Sequence, residues 1–347
     1  MNRIIREDID FIISTFKYWE RFKNKTVLIS GANGFLPAYL VETLLSLDQS
    51  FQTHVIALVR NKAKTERRFS HRLAHPRFEI IEQDVCTELS YSGKIDFIIH
   101  AASQASPKYY GVDPVGTLNA NVIGTINLIK LAYDKKVESF LYFSSGEVYG
   151  TVDEKNIPIA EDAYGYLDPA KVRSCYAESK CMGENICVSW FHQYGVQAKI
   201  VRPFHTYGPG MALDDGRVFA DFVSNILAGK DITLNSDGSA RRAFCYLTDA
   251  TLGFLTVLLN GENGEAYNVG NPQEEYSILE LAKILTTIKP EKGLNVFINE
   301  AYQQNNNYLK SPYPRNSPLI AKIGALGWRP ETSVKTGFSR TVESFLV

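Results

Sequence analysis

Tyr176 and Lys180 stand four positions apart in Tyr176-Ala-Glu-Ser-Lys180, a spacing that puts both on one face of a helix. A phenol and an ammonium held side by side can work as an acid/base pair. Far upstream, Val27-Leu-Ile-Ser-Gly31-Ala-Asn-Gly34-Phe35 leads from an apolar strand through a glycine-rich turn into a helix, the arrangement that receives the pyrophosphate of a dinucleotide. Between them, Ser144-Ser145-Gly146-Glu147 follows another apolar run. With Ser145 to orient a hydroxyl and Tyr176 to take its proton, the set suits hydride chemistry at a carbinol. A free tyrosine titrates near ~10, so service near ~7 requires roughly 4 kcal/mol of differential stabilisation. Lys180 and the positive charge of an oxidised nicotinamide could supply it.

Those groups must be held at one edge of a sheet. Apolar, β-branched runs recur at Thr26–Ser30, His54–Val59, Phe78–Ile81, Phe97–His100, Phe140–Phe143 and Lys199–Arg202, with helical patterns between them. The alternation predicts an α/β fold, a doubly wound parallel sheet of Rossmann-like type with both faces covered. A helix is expected from about Phe35 to Leu47, and the spacing of Ile9, Ile12, Ile13 and Phe16 predicts an amphipathic one over residues 6–22. After Pro203 the pattern loosens into turns such as Gly208-Pro-Gly210 and Asn235-Ser-Asp-Gly238, which suits a smaller, mixed C-terminal lobe closing over the ligand edge. The expected division is an N-terminal helix over 1–24, a dinucleotide-binding domain over 25–202 with a return near 243–262, and a substrate lobe over 203–242 and 263–347. Gln303-Gln-Asn-Asn-Asn307 reads as a mobile loop.

Gly31, Asn33, Gly34, Phe35 and Leu36 are the candidates to meet the pyrophosphate, at a helix start whose free N–H groups favour anions. Pro37 stands where a third glycine is usual, and its bulk predicts a local shift. The second strand closes on Val59-Arg60-Asn61-Lys62 and so lacks the acid that takes the adenosine ribose in NAD sites. Arg60, followed by Lys62, Lys64, Arg67 and Arg68, would welcome a 2′-phosphate, so NAD and NADP both stay open. Asp84 and Val85 are expected beside the adenine, and Ala101, Ala102 and Ser103 along the cofactor.

A net charge of −1 over 347 residues sets up no field to attract nucleic acid or an anionic membrane. No apolar run reaches the ~18 residues of a membrane span, and the start of the chain lacks the basic, apolar, small-residue order of a signal peptide. A cytoplasmic protein is expected. Cys86, Cys175, Cys181, Cys187 and Cys245 form no CxxC pair and read as reduced packing thiols, with no metal site.

With these motifs in view, the chain from about residue 24 onward resembles the extended short-chain dehydrogenases/reductases that modify nucleotide sugars, the NAD-dependent epimerase/dehydratase family. His100-Ala-Ala-Ser-Gln-Ala-Ser-Pro107, Asn121-Val-Ile-Gly-Thr125, Arg202-Pro-Phe-His-Thr-Tyr-Gly-Pro209, Asp215-Gly-Arg-Val218 and Leu326-Gly-Trp328 are most similar to its UDP-glucuronate decarboxylase (UDP-xylose synthase) branch. The resemblance implies retained NAD, a cytoplasmic role in polysaccharide precursor synthesis, and a homodimer formed through helices at Val115 to Tyr133 and Tyr176 to Tyr194. It also implies that Ser106, His205, Arg217 and Arg242 bind the nucleotide sugar, the two arginines on its phosphates. Glu147 and Arg315 fall where that branch has an active-site glutamate and arginine.

The implied cycle oxidises C4 of the sugar through Tyr176 and the cofactor, loses the C6 carboxylate as carbon dioxide, and returns the hydride. Arg315 would position the carboxylate or the ring, and Glu147 would act in proton transfer or ring orientation. Three residues depart from the branch: Gly146 replaces a hydroxyl residue, His205 an asparagine, and Asn235 an aromatic residue near the base. A 4,6-dehydratase, with Glu147 taking the C5 proton, and a 4-epimerase therefore remain as alternatives. Outside enzymes stands a non-catalytic dinucleotide sensor, against which the complete Ser145/Tyr176/Lys180 set argues.

Overall fold

The computed structural model of the protein describes residues 1–299 and 313–347, so the expected loop Gln303–Asn307 lies outside the described residues. The chain runs through α1 (Arg3–Thr15), β1 (Thr26–Ser30), α2 (Phe35–Leu45), β2 (His54–Val59), α3 (Lys62–Arg68) and β3 (Phe78–Glu82). β4 (Phe97–His100), α4 (Pro114–Lys135), β5 (Ser139–Phe143), α5 (Cys175–Tyr194) and β6 (Ala198–Pro203) complete the first part. Then come β7 (His205–Tyr207), α6 (Val218–Ala228), β8 (Ile232–Leu234), β9 (Arg241–Tyr246), α7 (Leu247–Asn260) and β10 (Ala266–Val269). β11 (Glu275–Ser277), α8 (Ile278–Thr286), β12 (Val296–Ile298), β13 (Arg315–Asn316), α9 (Ala321–Ala325) and α10 (Val334–Glu343) follow.

Val27, Leu28 and Ile29 of β1, Ile98 and Ile99 of β4, and Phe140 and Leu141 of β5 are all inaccessible to solvent, because helices cover both faces of their sheet. That sheet has seven parallel strands in the order β10-β6-β5-β4-β1-β2-β3. Strand order reverses between β1 and β4, and the crevice outside their carboxyl ends is where ligands of doubly wound sheets bind. A smaller mixed sheet has β9 at its centre, antiparallel to β11 and parallel to β13 and β7. α7 is buried along nearly its whole length and packs against both α2 and the large sheet.

Local chemistry starts and stops the helices that matter for the site. Asp113 accepts from the Gly116 amide to cap α4, with Pro114 at its first position, and α5 ends on Gly195 at a φ of 71°. β7 to β13 were not read from the sequence, while the six strands that were, β1 to β6, agree with it to within one residue at either end. The N-terminal helix does not. In place of one helix over 6–22, α1 stops at Thr15, Phe16 turns extended, and Trp19–Phe22 forms a 3-10 turn. Trp19 decides this: its indole N–H donates to the Ile13 carbonyl at 2.8 Å, and its ring packs on Phe16. α2 likewise ends at Leu45, short of Leu47, and Pro37 is buried in its first turn against Gly34.

α1 is fastened by one buried carboxylate. Asp8 accepts from the hydroxyls of Tyr39 (2.9 Å) in α2 and Tyr246 (2.7 Å) in β9, and from the Arg340 guanidinium (2.7 Å) in α10. Helix α2, the smaller sheet and the first and last helices meet at this residue.

Candidate active site

The glycine turn lies directly against the end of β4. Gly31 has a φ of 64°, and a Cβ there would lie 2.7 Å from the Ala102 Cα, so no side chain fits. Ser30 Oγ takes the amides of Ala101 and Ala102 at 3.2 Å each and pairs with His100 Nδ1 at 2.8 Å, which fixes the facing strand end. Burial, aided by the charge of Lys180, holds His100 down to about 3, so the imidazole is neutral. Its Nε2 and the Ser103 hydroxyl are buried without a hydrogen-bond partner among the described residues. Gly34 caps α2, leaving the amides of Phe35 and Leu36 in its first turn. A narrow glycine cradle, free helix amides and an unpartnered hydroxyl fit a dinucleotide.

Toward the adenosine side, Asn33 donates to Thr65 Oγ1 at 2.9 Å, which ties the glycine turn to α3. Arg60 is exposed, its guanidinium 3.8 Å from Asp84. Asp84 accepts from the Cys86 amide, and buried Val85 packs on Gly124, where a Cβ would come within 2.7 Å of it.

The chemical groups sit one strand further along. Ser145 caps the turn Gly146–Tyr149 by accepting from the Glu147 amide at 3.2 Å, and its hydroxyl faces the Tyr176 phenol. Lys180, buried one turn on, donates to the Phe143 carbonyl at 2.6 Å, and its Nζ lies 5.8 Å from the centre of the Tyr176 ring. Burial pushes Tyr176 up to about 12, Ser145 opposing, and pulls Lys180 down to about 7. Burial therefore outweighs Ser145 and Arg217 and keeps the phenol protonated in the ligand-free protein. Burial likewise raises Glu147, against the pull of Arg173 and Arg242. Arg173 Nη1 stands 3.6 Å from its Oε2.

On the substrate side the charges are already engaged. Arg217 is paired with Asp215, two residues before it, and Ser106 donates to the Asp215 carbonyl. Buried Arg242 donates to the carbonyls of Tyr313 (2.8 Å) and Arg241 (2.7 Å). Arg315 makes a two-pronged pair with Glu275, at 2.7 and 3.0 Å, and Arg241 shares the same carboxylate. His205 is kept neutral by burial and by Arg242 and Arg217, and its Nδ1 is unpartnered among the described residues.

The structure thus brings Ser145, Glu147, Tyr176 and Lys180 into one cluster and sets Arg242 beside Glu147 and His205. Arg315 is directed instead at Glu275. Gly146 leaves room for the Phe204 ring, 3.2 Å from where its Cβ would be, which accounts for the missing hydroxyl there. Asn235 is exposed. Sequence reasoning missed two groups, Tyr110 and Arg173, and the task of a third, Asn121. Tyr110 stacks on Tyr176 at 5.1 Å and 15°. Arg173 is the cation nearest Glu147, and its signal was its place three residues before Tyr176. Asn121 steadies the catalytic helix by donating to Ser179 Oγ at 2.9 Å.

Residues 27–270 match the sequence model described as the NAD dependent epimerase/dehydratase family. UDP-glucuronic acid decarboxylase 1 of Xenopus tropicalis is 34% identical over 331 residues, 95% of this chain and 74% of that protein. UDP-glucuronic acid decarboxylase 6 of Arabidopsis thaliana is 34% identical over 324 residues, 93% of this chain and 89% of that protein. Among solved structures, a UDP-glucose 4-epimerase of Thermotoga maritima superposes with a TM-score of 0.79 at 21% identity, covering 92% of this chain and 98% of that one. A dTDP-glucose 4,6-dehydratase of Streptomyces venezuelae, solved with NAD, gives 0.76 at 25% identity over 92% and 97%. Among the described residues, no helix is long and apolar enough to cross a membrane.

Proposed function

The chain belongs to the NAD dependent epimerase/dehydratase family, and from that premise we propose that it decarboxylates a nucleotide-linked uronate, UDP-glucuronate first among them. The observation that carries the reading is the half-buried Glu147, set beside Tyr176 and Ser145 in a chain whose curated relatives, matched over nearly its full length, bear that activity. Residues 25–202, with the return over 243–262, hold the dinucleotide. Residues 203–242 and 263–347 hold the nucleotide sugar.

Ser145 orients the C4 hydroxyl and Tyr176 accepts its proton. The bound nicotinamide supplies the hydride acceptor, and later the donor, at C4. With C4 a ketone, the C6 carboxylate belongs to a β-keto acid and leaves as carbon dioxide. Tyr176 and Ser145 then hydrogen-bond the resulting enolate oxygen. Glu147, which burial favours in its protonated form, returns a proton to C5. Tyr176 gives its proton back to the C4 oxygen as the hydride returns, so the net change is one carbon dioxide lost and one proton gained. Lys180, on the same helix face, lies 5.8 Å from the centre of the Tyr176 ring and, drawn down to about 7 by burial, carries only part of a positive charge near neutral pH. Arg217 and Arg242 meet the diphosphate, Arg217 after parting from Asp215.

Two copies pair through α4 and α5, whose outer faces expose Val115, Leu118, Ile123 and Ile126, and Met182 and Val188. The five free thiols suit a reducing, cytoplasmic setting. Mass spectrometry of products from UDP-glucuronate and a panel of hexose nucleotides tests the reaction. Loss of carbon dioxide from UDP-glucuronate supports it; loss of water from a hexose nucleotide, with glucuronate untouched, replaces it with a dehydratase. A monomer by light scattering would refute the pairing.

A further inference from the structure

Arg68 closes α3 and turns its side chain back beneath the glycine turn. Nη1 donates to the Asn33 carbonyl at 3.4 Å, and Nη2 occupies the space next to Gly210, where a Cβ would lie 2.8 Å from it. The bare backbone of Gly210, at a φ of 80°, is what leaves room for the guanidinium between the two halves of the molecule. Arg68 is only partly exposed, and burial draws it below the ordinary arginine range, with Tyr39 and Glu42 opposing. A guanidinium nevertheless stays charged. Among the described residues no carboxylate lies in salt-bridge contact with it. Glu42, the acid that acts on it, is held by His71 and Arg72 at 2.9 Å each.

A half-desolvated cation without a counter-ion is unfavourable unless an anion completes it. The turn that it approaches, Gly31-Ala-Asn-Gly-Phe-Leu36, brings backbone amides and no cation of its own. Resting on the assignment of this turn to a dinucleotide, we propose that Arg68 is a direct phosphate ligand of the bound cofactor, its guanidinium reaching the diphosphate through the space beside Gly210. The shared chemistry is a phosphate anion, and the bridging diphosphate and a ribose 2′-phosphate are its two sources on such a cofactor. Position favours the diphosphate, because Arg68 contacts the glycine turn itself, whereas exposed Arg60 stands beyond it next to Asp84.

Calorimetric titration of the full chain with ADP-ribose and with its 2′-phosphorylated form, at low and high salt, tests this. Arg68→Gln should weaken ADP-ribose at least about 10-fold and flatten its salt dependence, with Arg68→Lys recovering part of both. UDP affinity should not move, and the melting temperature of the ligand-free chain should not fall. A loss confined to the 2′-phosphorylated ligand assigns the guanidinium to that phosphate and overturns the diphosphate placement. Unchanged affinity for both ligands overturns the proposal altogether. Failure of the unaltered protein to bind either ligand would strike the dinucleotide reading, a result distinct from any effect of the substitution.

Discussion

The two sides of the crevice are prepared for their ligands in opposite ways. On the cofactor side, Arg68 apart, the groups are neutral and already in place: Gly31 against Ala102, a neutral His100 locked to Ser30, and a Ser103 hydroxyl unpartnered among the described residues. On the substrate side the groups are charged and already spoken for, Arg217 by Asp215 and Arg315 by Glu275. A ligand entering the first region meets a shape. One entering the second must exchange partners, which gives up part of the binding energy but keeps two half-buried arginines from standing uncompensated in its absence. The lesson is that retention of the cofactor and turnover of the substrate are separable in this fold, because one site is rigid by packing and the other is held by ion pairs.

Tyr176, where the two regions meet, should give the largest effect. Tyr176→Phe removes the phenol that handles the C4 proton, and kcat should fall roughly 10²–10⁴-fold while dinucleotide stays bound, as read from turnover and from the nucleotide released on denaturation. A variant that lost cofactor in parallel would break the separation between the two sides. Next comes Glu275→Gln, which strips the shared carboxylate from Arg315 and Arg241. Burial raises Glu275, but the arginines hold it below the usual carboxylate range, so its charge is a real component of the pairing. Stability should drop by about 1–2 kcal/mol, with KM for the nucleotide sugar altered and ADP-ribose affinity unchanged, measured by thermal melting and titration.

At neutral pH the smallest effect, since it emerges only on acidification, concerns one histidine from each side. His100, folded, titrates at about 3, and His205 lies well below its ordinary value. In both cases the unfolded chain binds the proton first, so stability is fully present above pH ~6.5 and is lost as pH falls below it. His100 should contribute a slope of about 1.4 kcal/mol per pH unit between roughly pH 6 and 4, and His205 a slope of the same sign on acidification, both visible in melting curves. His100→Asn and His205→Asn should each remove one share. Added UDP should ease only the His205 share, because Arg217 and Arg242 help to depress that residue and a diphosphate would offset them. Equal easing at His100 would contradict the comparison.

The same contrast explains what could be read from the chain. Strands buried on both faces write themselves as unbroken runs such as Val27-Leu-Ile29 and Phe97-Ile-Ile99, and the turn after β1 and the Tyr176/Lys180 spacing are local patterns. The break at Phe16 was hidden because its cause, the Trp19 indole reaching back to Ile13, is a tertiary choice that leaves the apolar spacing intact. On the substrate side the arginines were visible but their partners were not. Glu275 lies on β11 and Arg315 on β13, which meet only because both flank β9. The stacking of Tyr110 on Tyr176 is likewise invisible in spacing, since the loop after β4 and the helix α5 are brought together by the sheet alone.

Asp8 carries a consequence for how the molecule is made and unmade. Its hydrogen-bond partners Tyr39, Tyr246 and Arg340 leave a ribosome in that order, and the carboxylate is not fully matched until the last helix has been synthesised. The first helix therefore waits for the last. Once both are docked, fraying of either exposes the same buried charge, so the amides of α1 and α10 should exchange with solvent together, as one cooperative unit spanning the two ends of the chain.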